Sequence, residues 1–461
     1  MENPCVFCLW ILLLSCVVVV EVQGGDGSVG CDAEERRALL RLRDAFKYPN
    51  GTTPLPSWDE EQMDCCMWER VKCDLSNHHV TQLSLGDIRL WSPDSIFLLN
   101  TSLFLPFREL RDLSLDRNSI RGFYGVLNLS KLQVLDLTDN EFHEIPSLGL
   151  LRSLRILHME LNWRINTWSH FEELTNLKHL ELLNFADNRL SGKISQSLGS
   201  LTSLKFLSFN YNNDLNGSLT DGGICKLRNL QELDLGWNSF EGRIPLCLGN
   251  LTSLRALILE QNFLTGSLPS AIFSTLNLLE YLSFSHNYFE GSFSFNSFWN
   301  NSKLEFFELE NLNNTMIVNT ENPPWMPQSQ IKIFRLPNCK LNEPRGNLPS
   351  FLLKQRELIL LDLSHTGVRE ILPSWLLINN SNMRVLNLAG NFLTGSFIFN
   401  NHQTKNKNLW WLDVSMNQIQ GVLPHSIGVS FPNLGLLNMS MNAIQGGIPP
   451  SMGGIDTIVF A

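Results

Sequence analysis

From Val80 onward, apolar residues recur in one arrangement: a leucine, two other residues, Leu-x-Leu, two more residues and an asparagine. Clear copies are Leu132-Leu135-Leu137-Asn140, Leu230-Leu233-Leu235-Asn238, Leu254-Leu257-Leu259-Asn262 and Met383-Leu386-Leu388-Asn391. Weaker copies start at Val80, Leu110, Leu154, Leu180, Leu204, Leu279, Leu304, Ile331, Leu358, Leu409 and Leu434, about fifteen in all. From Leu110 the starts lie 22 to 27 residues apart. Each Leu-x-Leu alternates with period two, which predicts a short strand whose leucines face inward and whose intervening residues face outward. One such coil cannot bury its own apolar row, so neighbouring coils must stack and share a core.

The asparagine turns the chain off the strand, where backbone groups would otherwise lie buried without partners. Its amide supplies donors and an acceptor, so stacked copies form a ladder. Several copies continue as G-x-[IL]-P, as in Gly242-Arg243-Ile244-Pro245 and Gly446 to Pro449. Proline suits the edge of a second short strand, followed on the convex side by a 3₁₀ or short helical turn. A period of 20–29 residues with this signature is the leucine-rich repeat. The predicted fold is an α/β solenoid, a right-handed superhelix with a parallel concave β-sheet over residues 80–461. Repeats starting at Leu304, Ile331 and Leu358 put Leu312, Cys339 and Thr366 where the ladder asparagine belongs. Between them Asn319 to Pro327 breaks the spacing. This irregular segment near 312–350 is read as a coil that bends the solenoid; the sharper alternative is an inserted functional loop.

Residues 25–79 read differently, as an N-terminal cap. Cys31-Asp32 opens a helical pattern with Leu39, Leu42 and Phe46 on one face and Arg36, Arg37, Arg41 and Lys47 elsewhere. A basic amphipathic helix can serve a membrane or a calmodulin-like partner, but an open solenoid end needs a cover, and that reading is preferred. Residues 1–24, with the apolar run Pro4 to Val20, are read as a signal peptide cleaved near Gly24, against a signal-anchor reading prompted by the lack of Lys or Arg before the run. No second long apolar stretch follows. Export makes disulfides the default for the remaining cysteines. In the cap the pairing Cys31–Cys65 and Cys66–Cys73 is expected, although four cysteines permit three pairings and spacing alone does not choose. Zinc is the rival, with His78 and His79 nearby, but adjacent cysteines are awkward tetrahedral ligands. Cys225 and Cys247 precede successive strands and are expected to bridge adjacent coils. Cys339 is expected to be a buried free thiol. Nine sequons agree with export: Asn50, Asn100, Asn128, Asn216, Asn250, Asn300, Asn313, Asn379 and Asn438.

The chain has 461 residues with 35 Lys and Arg against 45 Asp and Glu, a net charge of −10, which argues against nucleic-acid binding. Catalysis finds no support: H-E-x-x-H, G-x-S-x-G and the phosphate-binding G-x-x-x-x-G-K-[ST] are absent. No metal site or cofactor is expected. Binding is expected on the concave sheet. The outward column two residues after each start runs from Asp112 to Leu436 and largely packs laterally. The column just before the ladder position is less bound to the scaffold: Arg117, Asp139, Asp187, Tyr211, Trp237, Gln261, His286, Asn311, Asn338 and His365. Trp237, Tyr281, His286, Glu308 and Glu310 form the candidate patch, because aromatic anchors beside charge are typical hot spots.

The cap (CDAEERRALLRLRDAF and SWDEEQMDCCMWERVKC) and the L-x-x-L-x-L-x-x-N-x-L-x-G-x-I-P repeats resemble plant leucine-rich-repeat receptor-like proteins. Tyr288 to Leu304 and the ENPPWMPQSQIKIF stretch are similar to one subgroup of them. The resemblance implies a glycosylated ectodomain that senses an extracellular peptide or protein in defence or development and signals through partner receptor kinases. It also implies a plasma-membrane protein, or a secreted, apoplastic one if the chain is complete. Such proteins usually continue through more repeats, a closing cap and one membrane helix, whereas this chain stops after an ordinary repeat with no recognisable C-terminal cap. A truncated form, or a secreted inhibitor of a microbial wall-degrading enzyme, is the alternative.

Overall fold

In a computed structural model the chain is described for residues 31–47, 53–89, 96–397, 406–454 and the backbone of 459–460. The expected signal peptide lies outside the described residues, as does Asn50. Among the described residues, seventeen strands form one sheet. Sixteen are parallel rungs of about three residues, from Val80–Ser84 and Asp112–Ser114 to Leu436–Asn438 and Val459–Phe460. Every repeat read from the sequence has its rung, which from Leu110 onward begins two residues after the repeat start. The strand at Val459–Phe460 pairs with Leu436 and Leu437, so the row extends one rung past the last repeat read from the sequence.

Register is uniform: Leu233 faces Leu257, Leu257 faces Leu282, and Leu282 faces Phe307. These residues are fully buried, which gives the core its single continuous row. Beyond each turn a second, shorter strand follows. Five of them, from Ser191–Gly192 to Tyr288–Phe289, form a second sheet; a separate three-stranded sheet begins at Ser292–Ser294. Gly242 and Gly266 close their strands at φ of 81° and 77°, a left-handed conformation that glycine adopts without steric cost. Short helical turns such as Leu246–Asn250 return the chain along the convex side.

The ladder asparagines fill the role expected of them. Asn140 Nδ2 donates to the carbonyls of Leu115, Leu137 and Thr138 at 3.0–3.1 Å, while its Oδ1 accepts from the backbone N–H groups of Asn118 and Ile120. Asn118, Asn162, Asn188, Asn212, Asn238, Asn262, Asn287, Asn391, Asn417 and Asn442 repeat the donor pattern.

The middle of the array corrects one reading. Leu312 is not in the ladder place; it is 49% exposed. Asn311 takes the buried position, bridging to Asn287, but its Nδ2 turns to Asn313 Oδ1 at 2.7 Å. Asn311 is therefore no member of an outward column. At the next two rungs Cys339 offers a weak thiol donor to Leu309 O at 3.7 Å, and Thr366 Oγ1 donates to Leu363 O at 2.7 Å within its own turn and lies 3.2 Å from Asn391 Oδ1, reaching no carbonyl of the preceding coil. Aromatic packing replaces the lost hydrogen bonds. Trp325, from the segment that breaks the spacing, is buried against Phe295 and Phe351 with centroids 4.9 and 4.8 Å away, and Phe334 packs on both phenylalanines. Trp325 thus draws its part of the segment into the core, against a freely projecting loop.

In the cap, helix α1 (Ala33–Ala45) starts at Asp32, whose carboxylate accepts from the N–H groups of Glu34 and Glu35. Leu39, Leu42 and Phe46 are fully buried over the solenoid's end. Cys31–Cys65 and Cys66–Cys73 are bonded with Cα atoms 5.5 Å apart, and Cys225–Cys247 joins two convex turns at 5.6 Å. Cys73 sits on the strand Val71–Cys73, which runs antiparallel to the first rung. One feature escaped the sequence reading: Glu35 is buried, accepts from Val80 N–H at 2.9 Å and faces His79 Nδ1 at 3.3 Å, which ties the helix to the first rung.

Asn140→Ala is expected to lower unfolding stability by about 2–4 kcal/mol in urea titrations, because three buried carbonyls lose their donors. Asn140→Asp should be worse, since it sets a carboxylate against the same oxygens. Cys339, whose thiol burial pushes up to about 12, should resist iodoacetamide at pH 8 in the folded protein and label in denaturant, as read by peptide mapping.

Candidate functional site

Most rungs end in the same turn, the rung Phe306–Glu308 being an exception, and that turn governs what the inner face displays. The residue just before the ladder asparagine has a left-handed backbone: Asp187, Tyr211, Trp237, Gln261, His286 and His365 all have φ between 52° and 57°. Side chains branched at Cβ are poorly tolerated there, and none occurs in this column from Arg117 to Met441. The column is free in its side chains but constrained in its backbone.

Four of the five candidate residues come together. The Tyr281 hydroxyl donates to Glu308 Oε1 at 3.2 Å. His286 Nε2 lies 3.5 Å from Glu310 Oε2. Arg335 joins the two carboxylates, reaching Glu308 at 3.0 Å and Glu310 at 3.7 Å, and extends to Asp362 at 3.8 Å. Three carboxylates outweigh the burial that disfavours the Arg335 cation and hold its pKa above the ordinary value. Burial, with Glu308 and Glu260 beside it, raises the Tyr281 phenol, so it remains a neutral donor.

Trp237 stands two rungs away. Its ring stacks on Tyr211 at 4.6 Å and 10°, and its Nε1 donates to Glu260 Oε1 at 3.4 Å. Glu260 Oε2 accepts from Ser283 Oγ at 2.6 Å, which brings the chain of contacts to the rung of Tyr281. The surface therefore runs continuously from Tyr211 to Asp362.

The sequence reading missed Arg335, Glu260, Ser283, Tyr211 as the stacking partner, and Asp362. The fourth residue after each start reads Ser283, Glu308, Arg335, Asp362 across successive rungs. That column alternates in sign and would have exposed the network. A second missed feature is Glu232, set between Phe206 and Ala256 in the lateral column. Burial, aided by Asp234 on the same strand, pushes its carboxyl up to about 8, and its Oε1 has no hydrogen-bond partner among the described residues. Asp234, raised by burial to about 6, is held by Asn210 Nδ2 at 2.8 Å and Gly236 N–H at 3.0 Å.

Asn128, Asn216, Asn250, Asn300 and Asn313 are exposed, while Asn100, Asn379 and Asn438 are half-buried. Asn438 lies on the inner sheet itself and donates to Asp413 Oδ2 at 3.0 Å. Among the described residues no helix is long and apolar enough to cross a membrane, and no three His, Cys, Asp or Glu residues gather to hold a metal ion.

A leucine-rich repeat region family model matches residues 105–290, and a leucine rich repeat N-terminal domain matches 32–74. Receptor-like protein 1 of Arabidopsis thaliana is 32% identical over 88% of this chain and 48% of its own length. The chain spans about half the length of the curated relatives it matches. Among solved structures, the ectodomain of the Arabidopsis receptor kinase HAESA, in complex with an extended IDA peptide hormone, superposes with a TM-score of 0.68 at 21% identity, covering 93% of this chain and 76% of that one. The plant peptide hormone receptor RGFR1 in complex with RGF2 gives 0.59 at 25% identity, covering 86% and 71%.

Glu232 supplies a pH test with a definite sign. A carboxyl whose folded pKa is raised stabilises the fold below its unfolded value near 4.5, and that advantage is lost as pH rises through about 8. Glu232→Gln should match the wild type in urea unfolding at pH 4 and exceed it increasingly toward pH 8, by about 1–3 kcal/mol.

Proposed function

This chain belongs to the leucine-rich-repeat receptor-like proteins of plants, and from that premise we propose that it forms the ligand-recognition face of an extracellular receptor. The family and its ectodomain fold are non-enzymatic kinds of protein, so the work of the inner sheet is binding. The observation that carries the reading is the continuous surface from Tyr211 to Asp362. A rigid leucine core holds stacked aromatic rings, a neutral tyrosine hydroxyl and an arginine–carboxylate network on neighbouring rungs. Such a surface offers an extended peptide both apolar faces and oriented polar groups. The complex of RGFR1 with RGF2 supports a peptide as the ligand class. Signalling would pass through partner receptor kinases, and glycans on exposed sequons such as Asn128, Asn250 and Asn300 would leave this part of the sheet open.

The test uses the secreted chain immobilised as bait for the peptide fraction of apoplastic fluid. Retained peptides are identified by mass spectrometry, synthesised and titrated. Trp237→Ala combined with Glu308→Gln is expected to weaken capture by at least about tenfold, the loss typical of a truncated hot spot, with an unchanged urea midpoint. Glu308→Lys is avoided because it would set a cation against Arg335. Capture that survives the double variant would move the site off this surface.

A further inference from the structure

The two edges of the inner sheet differ in charge. Across five consecutive repeats, starting at Leu154, Leu180, Leu204, Leu230 and Leu254, the residues flanking each start include Arg152, Arg155, Lys178, Lys205, Arg228 and Arg255. All six are exposed, and two carboxylates pair with them, Glu181 and, from the next repeat, Glu280, on a chain whose net charge is −10. Arg155 and Lys205 converge on Glu181 at 2.6 and 2.7 Å and Arg255 lies 3.8 Å from Glu280, whereas Arg152, Lys178 and Arg228 make no ion pair among the described residues. The strand-end edge of the same repeats carries Glu160, Asp187, Asp234 and Glu260 instead.

A shallow groove on this edge is lined by Arg155, Lys205 and Glu181, with His179, serines, Asn229 and Gln231 between the charges and no apolar side chain; the other four cations stand beside it. The hydroxyls of Ser153 and Ser203 already donate to the carbonyls of Ser130 and Lys178 at 2.6 and 2.7 Å. Their lone pairs stay available to accept from hydroxyl groups of a ligand. The sequons Asn128 and Asn250 each sit four residues before a repeat start, and no sequon occupies that place in the four repeats between them. Any glycans there would bracket the groove without covering it.

We propose that this edge binds a linear carboxylated polysaccharide, a polyuronate chain lying along the solenoid axis. The lining has no pocket to anchor an apolar side chain, which disfavours a folded protein partner. Rungs recur about every 4.8 Å, while same-side carboxylates of an extended peptide recur about every 7 Å, out of step with the cations. An unbranched chain of uronic-acid rings carries one charge per ring and offers hydroxyls to the serines and amides between the charges. The site lies on a different edge from the Tyr211–Asp362 surface and does not rest on the peptide reading.

The full secreted chain is titrated by biolayer interferometry with de-esterified polygalacturonate, fully methyl-esterified polygalacturonate and poly-glutamate. The wild type should bind the de-esterified polymer and release it as NaCl rises, since exposed charges are screened within about a Debye length. R152A/K178A/K205A/R228A should weaken binding by at least about tenfold as the local positive potential falls. R37A/R243A/K340A/R345A, with the same change in net charge, and W237A should both stay near wild type. If the first variant unfolds, K178A/R228A decides, because neither residue makes an ion pair. Equal binding of the methyl-esterified polymer, equal losses in the two quadruple variants, or poly-glutamate binding as tightly as polygalacturonate would each overturn the proposal.

Discussion

Burying the turn at the end of each strand is the constraint on which the rest depends. Stacking coils removes water from carbonyls that have no strand partner, and an unsatisfied buried carbonyl costs about 1–3 kcal/mol. Asparagine meets the need because one short amide donates to two carbonyls of its own turn and one of the preceding coil, while its oxygen accepts from the backbone. Asn262 does so at Leu235, Leu259 and Glu260, and accepts from Phe240 N–H. Aspartate lacks the donors, and threonine supplies only one, as Thr366 illustrates.

Two features of the surface follow from that turn. To aim the amide inward, the preceding residue must adopt a left-handed backbone, which places Tyr211, Trp237 and His286 at the same edge of the sheet on successive or nearby coils. The core demands leucine only at inward positions, so the outward columns are free to carry charge. They do so unevenly: in the five repeats starting from Leu154 to Leu254, carboxylates and aromatic rings gather where strands end and cations predominate where they begin. Because each coil contacts only its neighbours, local changes of this kind disturb the array little.

The middle coils show how far the constraint can be relaxed. There the hydrogen-bond ladder gives way to packed rings, with Trp325 among Phe295, Phe334 and Phe351. The second sheet also breaks at this point, between Phe289 and Ser292. Rings supply burial but no donors. The thiol of Cys339 therefore sits in an apolar setting that keeps it protonated.

Periodicity alone determined the solenoid, the strand of every repeat, the asparagine ladder and the inward leucines, because each follows from local spacing and from the need to satisfy buried backbone. The inner-sheet candidates Trp237, Tyr281, His286, Glu308 and Glu310 were legible for the same reason: a period-two strand dictates which side chains face out. Tertiary structure alone decided how they connect. Arg335 lies 27 residues beyond Glu308 and Asp362 a further 27, and only parallel register makes them neighbours. The shift of Asn311 into the core, the inward fold of Trp325 and the raised carboxyl of Glu232 likewise depend on what lies on adjoining coils. Spacing along one chain carries no record of the side chains that stacking will place beside it.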